Sequence, residues 1–92
     1  MEFAEVIVCG RVQGVGYREF ARRVAEAHGV AGFVRNRSDR TVEARLVGTP
    51  EALEAVLLQL RRGPMYGRVD AVRIAARGPC APESGFRVEA TR

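Results

Sequence analysis

Arg18 stands directly after a short turn that holds two glycines, Gly14 and Gly16, in the run Gly10-Arg11-Val12-Gln13-Gly14-Val15-Gly16-Tyr17-Arg18. Glycine lets a backbone bend so that successive N–H groups face one point. A helical pattern starts at Tyr17, and the first turn of a helix adds unpaired N–H groups and the positive end of the helix dipole. A cation at that end is unfavourable with the dipole, so an arginine there is best explained by an anion held between it and the backbone. The planar guanidinium can grip two oxygens of a phosphate or carboxylate at once. The chemistry that this run suggests is therefore oxyanion binding.

Asn36 is the second candidate and the only asparagine in the chain. Strand alternation places it on the same face as Val34, where a polar amide needs partners. A carboxamide offers a donor and an acceptor without charge, which suits it to orient a water molecule. Equally, it could simply open the turn at Ser38-Asp39. Tyr17 and Phe20 lie at core spacing and are expected as packing anchors. His28 closes the first helix, where a cation suits the dipole, and a structural role is expected. Cys9 continues the first strand and is expected at or near the core. A Cys9–Cys80 disulfide is conceivable but unusual in a cytosol. The two cysteines and single histidine match no metal-ligand spacing.

Several phosphate chemistries are excluded by missing residues. The loop lacks the Gly-Lys-Ser/Thr of a nucleotide P-loop. It lacks the third glycine and parallel sheet of a dinucleotide fold. Cys9 lies too far before Arg18 to act as the nucleophile of a cysteine phosphatase. No serine–histidine–acid set and no motif-bearing carboxylate pair occurs.

The elements that must position these residues follow from periodicity. Residues 5–12 form a strand pattern, and Tyr17, Phe20, Ala21, Val24, Ala25 and His28 recur at helical spacing, with Gly29 after them. Residues 30–37 form a second strand, Ser38-Asp39-Arg40 a turn, and Val42, Ala44 and Leu46 one face of a third. Thr49-Pro50 caps a second helix with Leu53, Val56, Leu57 and Leu60 on one side, stopped at Gly63-Pro64. Val72, Ile74 and Ala76 mark a fourth strand, residues 78–82 a rigid loop, and Phe86-Arg87-Val88 a short last strand. The order βαββαβ plus a terminal strand predicts an α+β fold. It is the ferredoxin-like sandwich, a mostly antiparallel sheet of four to five strands with two helices on one face. One domain over 1–92 is expected.

Bulk properties agree with a soluble, cytoplasmic protein. No apolar run is long enough to span a bilayer, and the start of the chain has no signal-peptide character. All fifteen basic residues are arginine, and the net charge is +4. The even spread of arginines speaks for codon bias more than for nucleic acid, which also lacks a base-stacking aromatic segment here.

The segments Gly-Arg-Val-Gln-Gly-Val-Gly-Tyr-Arg (10–18) and Gly-Phe-Val-Arg-Asn (32–36) resemble the two signature segments of acylphosphatases, and Gly63-Pro64 and Phe86 extend the match over nearly the whole chain. That resemblance implies the βαββαβ sandwich and hydrolysis of acyl phosphates without metal or other cofactor. It also implies that Arg18 and the backbone N–H groups of Gln13, Gly14, Val15, Gly16 and Tyr17 bind the phosphate, and that Asn36 positions the attacking water. The expected partner is a small acyl phosphate, with phosphate or sulfate able to occupy the loop. Neither a membrane nor nucleic acid is expected, and the protein is expected to be a monomer. A domain of this kind inside a larger carbamoyl-transfer system is the alternative. The leaving group is a carboxylate, whose conjugate acid has a pKa of roughly 4 to 5, so it departs without a general acid, and none is seen. One departure is Asp39-Arg40, where the family often has Asp-Gly. Glycine suits a turn that needs positive φ, so arginine there implies either another turn type or some strain.

Overall fold

A computed structural model describes all 92 residues. The chain forms β1 (Glu2–Arg11), α1 (Tyr17–Ala27), β2 (Ala31–Asn36), β3 (Val42–Gly48), α2 (Pro50–Arg62), β4 (Arg68–Pro79) and β5 (Phe86–Glu89). The strands make one sheet in the order β4-β1-β3-β2-β5. All neighbours are antiparallel except β2 and β5. This is the expected sandwich with five strands.

The core lies between one face of the sheet and the two helices. Ala4, Val6 and Val8 of β1, Val34 of β2, and Val42, Ala44 and Leu46 of β3 meet Leu53, Val56, Leu57 and Leu60 of α2 and Tyr17, Ala21 and Ala25 of α1. The period of two along the strands and of 3.6 along the helices supplies these faces directly. Phe86 joins the core from β5.

α2 starts where predicted. Thr49 Oγ1 accepts a hydrogen bond from the Ala52 N–H, and Pro50 holds the first helical position. At its other end, Pro64 has no N–H to give to the Leu60 carbonyl. The buried Tyr17 hydroxyl donates to that carbonyl instead, at 2.8 Å, and so ties α1 to the end of α2. Burial pushes the Tyr17 phenol above its ordinary pKa.

Three expectations need correction. β4 runs from Arg68 to Pro79, well beyond Val72–Ala76, and takes in part of the expected 78–82 loop. It is an edge strand with bulges against β1 between Glu5 and Val6 and between Cys9 and Gly10. Register shifts of this kind break the alternation that marks a strand in sequence. Cys9 is not in the core. It lies half-buried on the sheet face opposite the helices, where an Arg73 N–H donates to its sulfur at 3.1 Å. Cys9 and Cys80 are both free thiols. β1 also begins earlier, at Glu2, because Glu2 and Phe3 pair with both Gly48–Val47 of β3 and Pro79–Gly78 of β4.

Candidate active site

The site sits at the end of the sheet where β1, β2 and β5 finish. β1 ends at Arg11, and residues 12–16 cross the end of the β2–β3 hairpin to reach α1. Gly14 and Gly16 have φ of 74° and 78°, left-handed values that cost glycine little and other residues roughly 1–2 kcal/mol. Gly16 is the N-cap of α1, with no side-chain cap over the first turn. The N–H groups of residues 13–16 donate to no carbonyl of the chain. The first N–H groups of α1 lack intrahelical acceptors by the geometry of any helix. A run of free backbone donors therefore surrounds the start of α1.

Gln13 fixes the loop. Its side-chain Nε2 donates to the Arg37 carbonyl at 2.7 Å and to the Thr41 carbonyl at 2.9 Å. The loop is thus clamped to the hairpin that carries Asn36. Nothing in the periodicity of the sequence signals this clamp, because it joins residues 24 and 28 positions apart.

Arg18 is half-buried, and its Nη1 donates to the carbonyl of Glu89 in β5 at 3.2 Å. That contact orients the guanidinium and leaves its remaining donors for a ligand. No carboxylate pairs with it. The nearest acid in sequence, Glu19, is engaged by Arg22 and Arg23, and the Arg22 guanidinium holds its carboxyl below the usual carboxylate range. Asn36 ends β2 on the helix side of the sheet, as alternation predicts, and is partly exposed. Its backbone carbonyl accepts from the Arg92 N–H at 3.0 Å, and the Arg92 carbonyl accepts from Ser38 N–H at 2.9 Å. The segment after β5 therefore continues along the end of β2 and braces Asn36.

A cleft of about 300 Å³ collects these parts. Its walls are Val12, Gly14, Gly16, Tyr17, Arg18, Glu19, Asn36 and Val88. Of the residues predicted from sequence, Gly14, Gly16, Tyr17, Arg18 and Asn36 come together there. Val15 is not among the wall residues, and its side chain packs on the core. Gln13 lines a neighbouring cleft with Gly10, Arg11, Val12 and Arg40. The Tyr17 side chain faces the core, so only its backbone can serve a ligand. Nowhere in the fold do three His, Cys, Asp or Glu side chains converge to hold a metal ion.

The opposite sheet face is closed by its own charges. Arg45 covers the Phe3 ring at 4.7 Å and Arg35 the Phe33 ring at 5.0 Å. Arg45 is tied to Glu5 and Glu83, and Arg35 to Glu43.

Comparison with known proteins places the chain among close relatives. The family profile described as Acylphosphatase matches residues 4–88. An acylphosphatase of Azorhizobium caulinodans is 43% identical over 86 residues, which span 94% of this chain and 92% of the relative. The crystal structure of acylphosphatase from Bacillus subtilis superposes with a TM-score of 0.91 at 30% identity, covering 97% of this chain and 99% of that one. An acylphosphatase structure from Coxiella burnetii gives a TM-score of 0.88 at 32% identity, covering 96% and 93%.

Proposed function

This chain belongs to the acylphosphatase family, and we propose that it hydrolyses acyl phosphates in the cleft between Arg18 and Asn36. The observation that carries the proposal is the meeting of a guanidinium without a carboxylate partner, unpaired loop N–H groups and a carboxamide from a different strand in one small cleft.

In this proposal the phosphoryl group lies in the loop. Its oxygens accept from the backbone N–H groups of Gln13, Gly14, Val15, Gly16 and Tyr17 and from the Arg18 fork. Phosphoryl transfer passes through a loose transition state, so holding and neutralising the phosphoryl oxygens supplies most of the catalysis. Asn36 orients a water on the face away from the acyl group. The water oxygen bonds to phosphorus as the bond from phosphorus to the acyl oxygen breaks. The electron pair of that bond leaves with the carboxylate, and both protons of the water stay with the product, which forms as dihydrogen phosphate. A carboxylate needs no proton to depart at neutral pH. An alkoxide does, so simple phosphate monoesters are expected to be poor substrates.

We further propose that residues 1–92 form a single domain that acts as a monomer in the cytoplasm. The free thiols Cys9 and Cys80 support a reducing compartment, and no helix is long and apolar enough to cross a membrane.

Purified protein is expected to hydrolyse acetyl phosphate in the presence of EDTA. Arg18→Ala is expected to weaken inorganic phosphate binding and turnover together. Asn36→Ala is expected to lower kcat by about 100-fold or more, the usual scale for losing one preorganised polar group at a reacting centre, with phosphate binding retained. Wild-type activity in both variants would overturn the roles assigned here.

A further inference from the structure

We infer that Arg11 and Arg40 form a second oxyanion subsite beside the phosphate loop, which selects acyl phosphates whose acyl chain carries its own negative charge. The inference rests on the acyl-phosphate reading of the neighbouring cleft.

Three observations support it. First, Arg11 and Arg40 line one cleft of about 380 Å³ together with Gly10, Val12 and Gln13. Val12 is also a wall of the cleft that holds Arg18 and Asn36. The two clefts are therefore neighbours on either side of the buried Val12, and the proposal places the phosphoryl group in one and the distal charge of the acyl chain at the arginines of the other.

Second, neither arginine is neutralised within the chain. Arg22, Arg23, Arg35, Arg37, Arg45, Arg68, Arg77 and Arg87 all pair with carboxylates. Arg61 and Arg62 sit in the last turn of α2, where the helix dipole favours a cation. Arg68 lies opposite Arg11 across the β1–β4 pair, and it is paired with Asp70. Arg11 and Arg40 make no ion pair, although Asp39, the only carboxylate of the β2–β3 turn, directly precedes Arg40. Asp39 spends its oxygens on the Thr41 hydroxyl, the Thr41 N–H and Arg37.

Third, Arg40 is the only non-glycine residue with a left-handed φ, at 74°. Glycine would hold this turn without strain, so the backbone offers no reason for arginine. Strain of this kind at a cleft beside a reaction site points to a use for the side chain. A guanidinium pair is suited to a carboxylate or phosphate by its fork geometry.

The test compares succinyl phosphate with butyryl phosphate, which has the same chain length and no distal charge. The wild type is expected to favour succinyl phosphate in kcat/KM, and raising the salt concentration should shrink the preference, since exposed charges are screened. Arg40→Asn tolerates the left-handed turn and removes the charge. It should cut the succinyl-to-butyryl ratio about twofold to fivefold, the upper part of the range for one exposed ion pair. Arg11→Gln should do the same, and Arg40→Lys should restore most of the ratio. The non-hydrolysable β-ketophosphonate analogues of both substrates, titrated by calorimetry, report the same discrimination as binding. Equal ratios and equal binding in wild type and variants overturn the subsite while leaving the acyl-phosphatase reading intact. Discrimination in binding with no turnover of either substrate overturns the hydrolase reading and leaves the charged subsite standing.

Discussion

Gln13 ties the glycine loop to the β2–β3 hairpin, and replacing it separates a structural clamp from a ligand contact. Its Nε2 holds the carbonyls of Arg37 and Thr41 at 2.7 and 2.9 Å. Both carbonyls have a second partner: Arg40 N–H donates to Arg37 at 3.1 Å, and Arg37 N–H donates to Thr41 at 2.9 Å. Gln13→Met keeps the volume and removes both donors without leaving either carbonyl unpaired. The cost is then the net worth of two hydrogen bonds, toward the lower end, about 1–2 kcal/mol. For a domain of this size that lowers Tm by roughly 5–15 °C. The activity loss should be larger, about 100-fold in kcat/KM, because the loop proposed to hold phosphate can now drift relative to Asn36. Gln13→Glu sharpens the test. At neutral pH it aims a carboxylate at two carbonyl oxygens, so it should be less stable than Gln13→Met. That repulsion raises the folded-state pKa of the introduced carboxyl above its unfolded value of about 4.3. A group raised in this way gains stability as pH falls through its folded pKa, because the neutral acid regains one donor. Thermal melts from about pH 7 down to about pH 4.5, close to that unfolded value, run beside Gln13→Met, check this sign. A Gln13→Met protein with wild-type melting and wild-type turnover would refute the clamp. So would a Gln13→Glu protein as stable at neutral pH as Gln13→Met.

Tyr17→Phe leaves the Leu60 carbonyl buried without a donor, since Pro64 cannot supply one, and should cost about 1–3 kcal/mol by chemical denaturation. Asp39 accepts from the Thr41 hydroxyl at 2.6 Å and the Thr41 N–H at 3.1 Å, which holds its carboxyl below the usual carboxylate range. Its contribution is present above about pH 4, the unfolded value, and is lost as pH falls through the lowered folded pKa. Asp39→Asn should therefore flatten the acid arm of Tm against pH. Arg40→Gly relieves the left-handed φ but gives the unfolded chain more freedom. The strain of roughly 1–2 kcal/mol outweighs the entropy of about 0.4–1 kcal/mol, so a Tm rise of a few degrees is expected.

The legible parts of the fold are those where one face of an element is buried. Val42, Ala44 and Leu46 alternate, and Leu53, Val56, Leu57 and Leu60 recur helically, because both sets face the core. β4 is legible only at its centre. An edge strand with bulges exposes Arg68, Arg73 and Ile74 alike, so its pattern does not report its pairing. Cys9 follows three apolar neighbours, and that run suggests a place in the core. The same alternation that buries Val8 turns Cys9 to the opposite face. At the site, Gly14, Gly16 and Arg18 are legible because strand end, glycine turn and helix start are local features. The roles of Gln13 and Arg92 are not, since each acts through partners far away in the chain.

The sequence by itself determined the glycine loop, the helix behind it, the order of elements and the strand face that Asn36 shares with Val34. These are consequences of backbone freedom and of side-chain period, which act over a few residues. Only the tertiary structure decided that Asn36 lines the same cleft as Arg18, that Gln13 locks the loop to the hairpin, and that Arg11 and Arg40 share a cleft without carboxylate partners. Those facts depend on strand order. β3 lies between β1 and β2, and the loop must cross the end of that hairpin to reach α1, which brings residues distant in the chain within hydrogen-bonding range.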